Sequence, residues 1–158
     1  RVEAEKAWMK LGETRRIPVA IIRLSGIYGL GRNSFVSLKN GTAKRLVKPG
    51  QVFNRIHVED IAGATKLLAE KRLGGIFNVT DDEPAPPQDV VLHAAEMVGA
   101  APPDESDFAT AELSPMARSF YGENKRVSNK KIRQAGYDFR YPTYREGLES
   151  VKGDYEEK

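Results

Sequence analysis

One short apolar run constrains this chain more than any other feature. Pro18 opens it, Val19-Ala20-Ile21-Ile22-Arg23-Leu24 follows, and Gly26, Gly29 and Gly31 break it. A continuous run rich in β-branched residues is how a parallel strand covered on both faces reads. Parallel strands need crossover connections, usually helices, and the chain supplies them. Val2, Ala4, Ala7, Trp8 and Leu11 fall at helical spacing, with Glu3, Glu5, Lys6 and Lys10 on the other face and Gly12 as the expected C-cap. Ser34 to Asn40 predicts a short helix ending at Gly41. Asp60 reads as the N-cap of a helix through Ile61, Ala64, Leu67 and Leu68, ended by Gly74-Gly75. A second strand follows in Ile76-Phe77-Asn78-Val79, then a helix from about Gln88 to Val98 closed by Gly99, and a last one over Thr143 to Val151.

Between these elements the turn residues speak. Lys48-Pro49-Gly50 separates Lys44–Val47 from Gln51–Ile56, which predicts a hairpin. Ala101 to Leu113, rich in Pro, Asp, Glu and Ser, reads as a surface connection. Residues 1–151 then form one α/β unit: a helix over 1–13, strands, hairpin and helix over 18–80, and a helical region over 86–151, with 152–158 a frayed tail. Two parallel-type strands and one hairpin do not make a well-covered doubly wound sheet. The chain also begins at Arg1 directly in a helical pattern, so it reads as a piece of a longer protein.

Composition narrows the chemistry. The 158 residues contain no cysteine, which removes disulfides, thiolate catalysis and Cys-based zinc sites. The two histidines, His57 and His93, are too few for a histidine-rich metal site, and no metal is expected. A reducing, cytoplasmic setting fits. No apolar run is long enough to span a membrane as a helix. The net charge of +3 is too mild and too mixed to imply nucleic acid. The basic stretch Lys125 to Arg133 lacks the interleaved aromatics that stack on bases, and reads as a solvated helix face.

The glycine loop after the first strand is not a dinucleotide fingerprint. Gly26-Ile27-Tyr28-Gly29-Leu30-Gly31 spaces its glycines as G-x-x-G-x-G, where the fingerprint is G-x-G-x-x-G. No acidic residue ends a second strand about twenty residues on, where a ribose partner belongs. Ile22-Arg23-Leu24-Ser25-Gly26-Ile27-Tyr28-Gly29-Leu30-Gly31-Arg32 matches another pattern better. It resembles the R-P-G-x-Y-G-P-G-R segment of the extended short-chain dehydrogenase/reductase family, the NAD-dependent epimerases and dehydratases. Ile56-His57-Val58-Glu59-Asp60-Ile61-Ala62 is similar to that family's I-H-V-D-D-[LV]-A, and Gly75-Ile76-Phe77-Asn78-Val79 to its G-x-x-Y-N-V. Ala4-Glu5 looks like the A-E after its catalytic Y-x-x-x-K. The four stand in the family's order and cover nearly the whole chain. The flavour is that of nucleoside-diphosphate-sugar epimerase-like proteins of bacteria.

The resemblance implies the C-terminal part of a Rossmann-like NAD(P)-binding fold plus a small substrate-side α/β subdomain, incomplete without an N-terminal nucleotide-binding half. It implies an oxidoreductase or isomerase that moves a hydride through NAD or NADP on a nucleotide-sugar-like small molecule. The glycine fingerprint and catalytic tyrosine would lie outside this chain, which alone would hold no cofactor and be inactive. Arg1 takes the place of the family's catalytic lysine. An arginine does not readily give up its proton, though its charge lowers a tyrosine's pKa and can hold a ribose. A non-catalytic dinucleotide sensor or scaffold is therefore the alternative. Ser25, Gly26 and Ile27 match the loop that meets the nicotinamide, with Ser25 where the family has Pro. Tyr28 either donates to substrate or packs under the loop. Arg32, Arg55 and Arg126 are candidates for the substrate's anionic groups, since guanidinium forks suit phosphates. The first helix resembles one used for dimer bundles in the family, so a homodimer is an option.

Three further groups have plainer expectations. His57 alternates with Ile56 and Val58 and reads as a structural histidine. His93 sits beside Leu92 and Ala94 and reads as structural or surface. Asp81-Asp82-Glu83 reads as a solvated turn.

Overall fold

The computed structural model describes residues 1–156. Helix α1 spans Val2–Arg15, one turn beyond Gly12, and Arg16 ends it in the left-handed region at φ 54°. Gly12 is thus not the cap. It is buried inside the helix because the returning chain crosses it: an added Cβ would stand 2.6 Å from the Val19 side chain and 2.9 Å from the Ile17 carbonyl. The apolar face expected on α1 is left largely open to solvent within the described residues, for Val2, Trp8 and Leu11 are exposed.

Strand β1 (Ala20–Leu24) pairs in parallel with β5 (Gly75–Val79), Ile22 opposite Phe77. It is covered less than its sequence suggests: Ala20 to Ile22 are half-buried, and Arg23 and Leu24 are exposed. After Ser25 the chain runs on as β2 (Gly26–Tyr28), which exchanges partners and pairs in parallel with β4 (Arg55–His57), Tyr28 opposite His57. Helix α3 (Val58–Glu70) leaves β4 at once. Its cap is His57, whose ring accepts the Glu59 N–H, and not Asp60.

The predicted hairpin does not form. The turn at 48–50 exists, with Gln51 N–H donating to the Lys48 carbonyl and Gly50 at φ 74°. Its two flanks part, however. Strand β3 (Arg45–Val47) pairs in parallel with β6 (Glu105–Asp107), while β4 goes to β2. Turn residues dictate a reversal locally, but the strand partner is set by which neighbour buries Ile56 and His57. The expected surface connection is largely exposed, but its residues 105–107 form strand β6. Its residues are exposed, yet Arg45 and Glu105 pair across it at 2.5 Å.

The remaining elements are α2 (Ser34–Lys39), α4 (Pro87–Met97), α5 (Pro115–Phe120), α6 (Lys130–Gln134), α7 (Tyr144–Ser150) and α8 (Gly153–Glu156). Helix α8 replaces most of the expected frayed tail; residues 157–158 lie outside the described residues. Two apolar clusters result. Ile56, Leu68, Phe77, Val79, Ile132 and Phe139 fill one between sheet, α3 and α6. Phe35, Val90, Ala94, Tyr144, Leu148 and Val151 fill the other between α2, α4 and α7. Asp60 joins two segments: its carboxylate accepts from the Tyr137 hydroxyl at 2.7 Å and from the Arg140 and Tyr141 N–H groups at 2.8 and 3.0 Å.

Candidate functional site

A cleft of about 440 Å³ opens beside the end of β2 and the start of β4, walled by α2, α4 and α7. Its floor is apolar, with Ile27, Val90 and Leu148 among its residues. Among the described residues three cations line it, Arg32, Lys44 and Arg55, and no carboxylate does. Such a cleft favours an anion, because the charged side chains that line it are all positive. Sequence reasoning missed Lys44. It was visible only as one of many lysines, and its position depends on β3 pairing with a segment far along the chain.

Tyr28 closes β2 and borders the cleft, but its hydroxyl faces inward. The hydroxyl presses on α7 at Gly147, where an added Cβ would come within 2.6 Å of the Tyr28 Cζ. The ring stands edge-on to His57 at 5.2 Å between centroids. Burial, then the negative charge of Asp81, pushes the phenol well above the ordinary tyrosine range. It stays protonated, and packing is what its surroundings fit. His57 lies between Tyr28 and Tyr141, the latter ring 4.1 Å away. Burial lowers its pKa, so the ring is neutral and accepts through Nδ1.

Arg55 is half-buried. One terminal nitrogen donates to the Phe53 and Ala85 carbonyls at 3.0 and 3.1 Å, which fixes the guanidinium at the cleft edge. Beneath it sits Asp81, buried rather than solvated as its acidic neighbours suggested. Its N–H donates to the Arg55 carbonyl at 2.8 Å, and Thr80 Oγ1 donates to the same oxygen at 3.0 Å. These bonds draw the segment after β5 under β4. Among the described residues, neither Asp81 carboxylate oxygen has a hydrogen-bond partner. Loss of hydration raises the carboxyl to about 7 against the attraction of Arg55. Asp82 and Glu83 stay outside, paired with Arg133 and Arg145.

Arg32 is exposed on a tight turn closed by reciprocal backbone bonds between Gly29 and Arg32. Asn33 follows, caps α2 through Oδ1 and donates back to the Gly29 carbonyl. The other expected residues are dispersed. Ile27 borders the cleft, whereas Ser25, Gly26, Arg1 and Arg126 are not among its lining residues. Gly26 allows a close main-chain approach, with its N–H donating to the Asn54 carbonyl at 3.1 Å. Ser25 Oγ is buried without a partner among the described residues. An unpartnered hydroxyl beside the exposed Ile27 fits the edge of a ring laid against this strand. Arg126 is exposed on a segment held to Asn54 through Lys125 and Val127. Arg1 is exposed before α1. The basic stretch is largely occupied: Lys131 stands 4.6 Å from the Phe77 ring centre, and Lys125 pairs with Glu123. Within the described residues, no helix is long and apolar enough to cross a membrane.

No family model matches the chain. A curated relative, a 3-diazoavenalumate denitrifying reductase from Streptomyces sp, is 29% identical over 142 residues, 81% of this chain and 45% of its own length. A solved structure of a functionally unknown conserved protein from Silicibacter pomeroyi is 48% identical, with a TM-score of 0.87 over 99% of this chain and 55% of that one. The dTDP-glucose 4,6-dehydratase of Bacillus anthracis, solved with NAD, is 19% identical with a TM-score of 0.72, over 97% of this chain and 49% of that one. The chain spans about half the length of the proteins it matches. It carries the α/β fold of the C-terminal half of NAD(P)-dependent epimerase/dehydratase proteins of the short-chain dehydrogenase/reductase type.

Proposed function

We propose that this chain is the substrate-side portion of an NAD(P)-dependent oxidoreductase that acts on an anionic small molecule, a nucleotide-sugar or similar compound. The observation that carries the reading is the cleft beyond the end of β2, lined by Arg32, Lys44 and Arg55 and, among the described residues, by no carboxylate. Ligands of open α/β folds bind outside the carboxyl ends of their strands. The curated relative supports an anionic substrate, since its name specifies an acid anion. The dinucleotide would take and return a hydride. Ser25 and Ile27 would border its nicotinamide, and the guanidiniums would orient the substrate's charge against it. The dinucleotide fingerprint and the catalytic tyrosine would come from sequence outside this chain. The exposed face of α1 suits docking of that other half or a second copy.

The test is titration of the intact protein with uridine diphosphate. Arg32→Ala and Lys44→Ala should each weaken binding about tenfold, the scale of one lost charge-assisted hydrogen bond. Unchanged affinity in both variants would remove the anion role. A second reading, a dinucleotide sensor or scaffold, rests on Arg1 at the position of the family's lysine. Arg1→Lys in the intact protein discriminates: NADH formation with candidate sugars, gained on substitution, counts against a pure scaffold.

A further inference from the structure

We infer that Asp154, on the last described helix, is a positioning residue that latches the Arg32 loop in its cleft-facing form. The inference rests on reading the cleft as an anion site.

The loop has little to hold it locally. Gly31 sits at φ 72°, and the local ties across the turn are the two backbone bonds between Gly29 and Arg32 and the Asn33 side-chain N–H to the Gly29 carbonyl. Arg32 projects from it with an exposed side chain, and the next residue, Asn33, must stay in place to cap α2. A short turn with an exposed backbone opens at low free-energy cost unless something distant ties it.

Asp154 supplies the tie. Its Oδ2 accepts the Gly31 N–H at 2.7 Å and the Asn33 side-chain N–H at 2.5 Å. The two donors flank Arg32 in sequence, so one carboxylate oxygen grips the loop on both sides of the cation. Lys39, at the end of α2, donates to the Asp154 carbonyl at 3.4 Å and holds the latch from below. Helix α8 is itself anchored, because Val151 is buried just before it and Tyr155 packs against the cluster of Phe35, Tyr144 and Leu148. Among the described residues Asp154 has no ion pair with Arg32, so its carboxylate fixes the loop without quenching the cation. A segment that reads as a frayed tail in sequence thus sets one of the three cations of the cleft.

The experiment uses the intact protein with two readouts. Amide hydrogen exchange at Gly31 reports the latch without any ligand. Inorganic pyrophosphate, titrated calorimetrically, reports the site. Asp154→Ala should accelerate Gly31 exchange at least tenfold, the scale of a hydrogen bond to a charged acceptor, while amides of Ile56 and Leu68 keep their protection. Pyrophosphate affinity should fall three- to tenfold, with no further loss when Asp154→Ala is added to Arg32→Ala, and Asp154→Glu should recover part of it. If Asp154→Ala does not fold, the isosteric Asp154→Asn carries the same comparison with a smaller change expected. Wild-type exchange at Gly31 in the variant overturns the latch. Faster exchange with unchanged affinity, where Arg32→Ala does weaken binding, overturns the positioning role. If the wild-type protein takes no pyrophosphate, the anion reading of the cleft falls, and exchange at Gly31 alone decides the latch.

Discussion

Asp81→Asn should gain stability relative to wild type as pH rises from 5 to 8, and the gain should track pH in a definite way. The carboxyl is buried under Arg55 with no hydrogen bond to either oxygen among the described residues, and it ionises at about 7 in place of the ordinary 3.8. The groups that face it are Arg55 and the Glu83 main chain, which favour ionisation, and the Asp82 and Glu83 carboxylates, which oppose it; Tyr28 is close and protonated. Between those two pH values the unfolded chain has released the proton and the folded chain retains it. The folded state then binds more protons, so stability falls as pH rises, by about 1.4 kcal/mol per pH unit, until the folded carboxyl also ionises. The contribution is complete below about pH 4 and lost above about pH 7. From pH 5 to pH 8 this amounts to about 2–3 kcal/mol. Asparagine has no such proton. Any constant cost of its buried amide cancels when the difference between variant and wild type is followed with pH. Urea unfolding of both proteins from pH 5 to pH 8 is the assay, with the difference growing by about 2–3 kcal/mol in the variant's favour. A difference that stays within about 0.5 kcal/mol over that range refutes the reasoning, and would mean that Arg55 keeps Asp81 ionised throughout.

Two other substitutions probe the frame around the cleft. Gly147→Ala forces a methyl group against the Tyr28 ring and should cost about 3 kcal/mol or more in thermal unfolding; adding Tyr28→Phe should return part of that loss, since the hydroxyl is the nearest obstruction. Asp60→Asn turns an acceptor of three hydrogen bonds into a poorer one and should cost about 2–4 kcal/mol by denaturant titration, with the segment 137–141 first to lose amide protection.

Much of the fold was legible in the order of short patterns. The apolar run before Gly26, the segment Ile56–Ala62 and the strand Gly75–Val79 became β1, β4 with α3, and β5, whereas β2 formed from the start of the expected glycine loop. What was not legible shares one cause. In sequence Asp60 reads as a helix cap, Asp81 as part of a solvated turn and Asp154 as part of a frayed tail, because isolated carboxylates favour water and helix ends. Each is instead placed by partners more than twenty residues away: the 137–141 segment, Arg55 and the Gly31 loop. The hairpin failed for a related reason. Lys48-Pro49-Gly50 encodes a reversal but carries no information about which strands will lie side by side.

The candidate site divides in the same way. Arg32, Arg55, Tyr28 and Ile27 were named from a pattern along the chain, and all four border the cleft. Arg126 came from the same pattern and is not among the lining residues.

By itself the sequence determined the α/β class, most helices and the parallel strands β1 and β5, because hydrophobic period, β-branching and glycine placement act over a few neighbouring residues. Tertiary structure alone decided that Tyr28 packs on Gly147, that Lys44 joins the cleft, that Asp81 lies dry beneath Arg55 and that the last helix holds the Arg32 turn. Those outcomes depend on which distant segments meet, and on whether a charge is left in water or taken out of it.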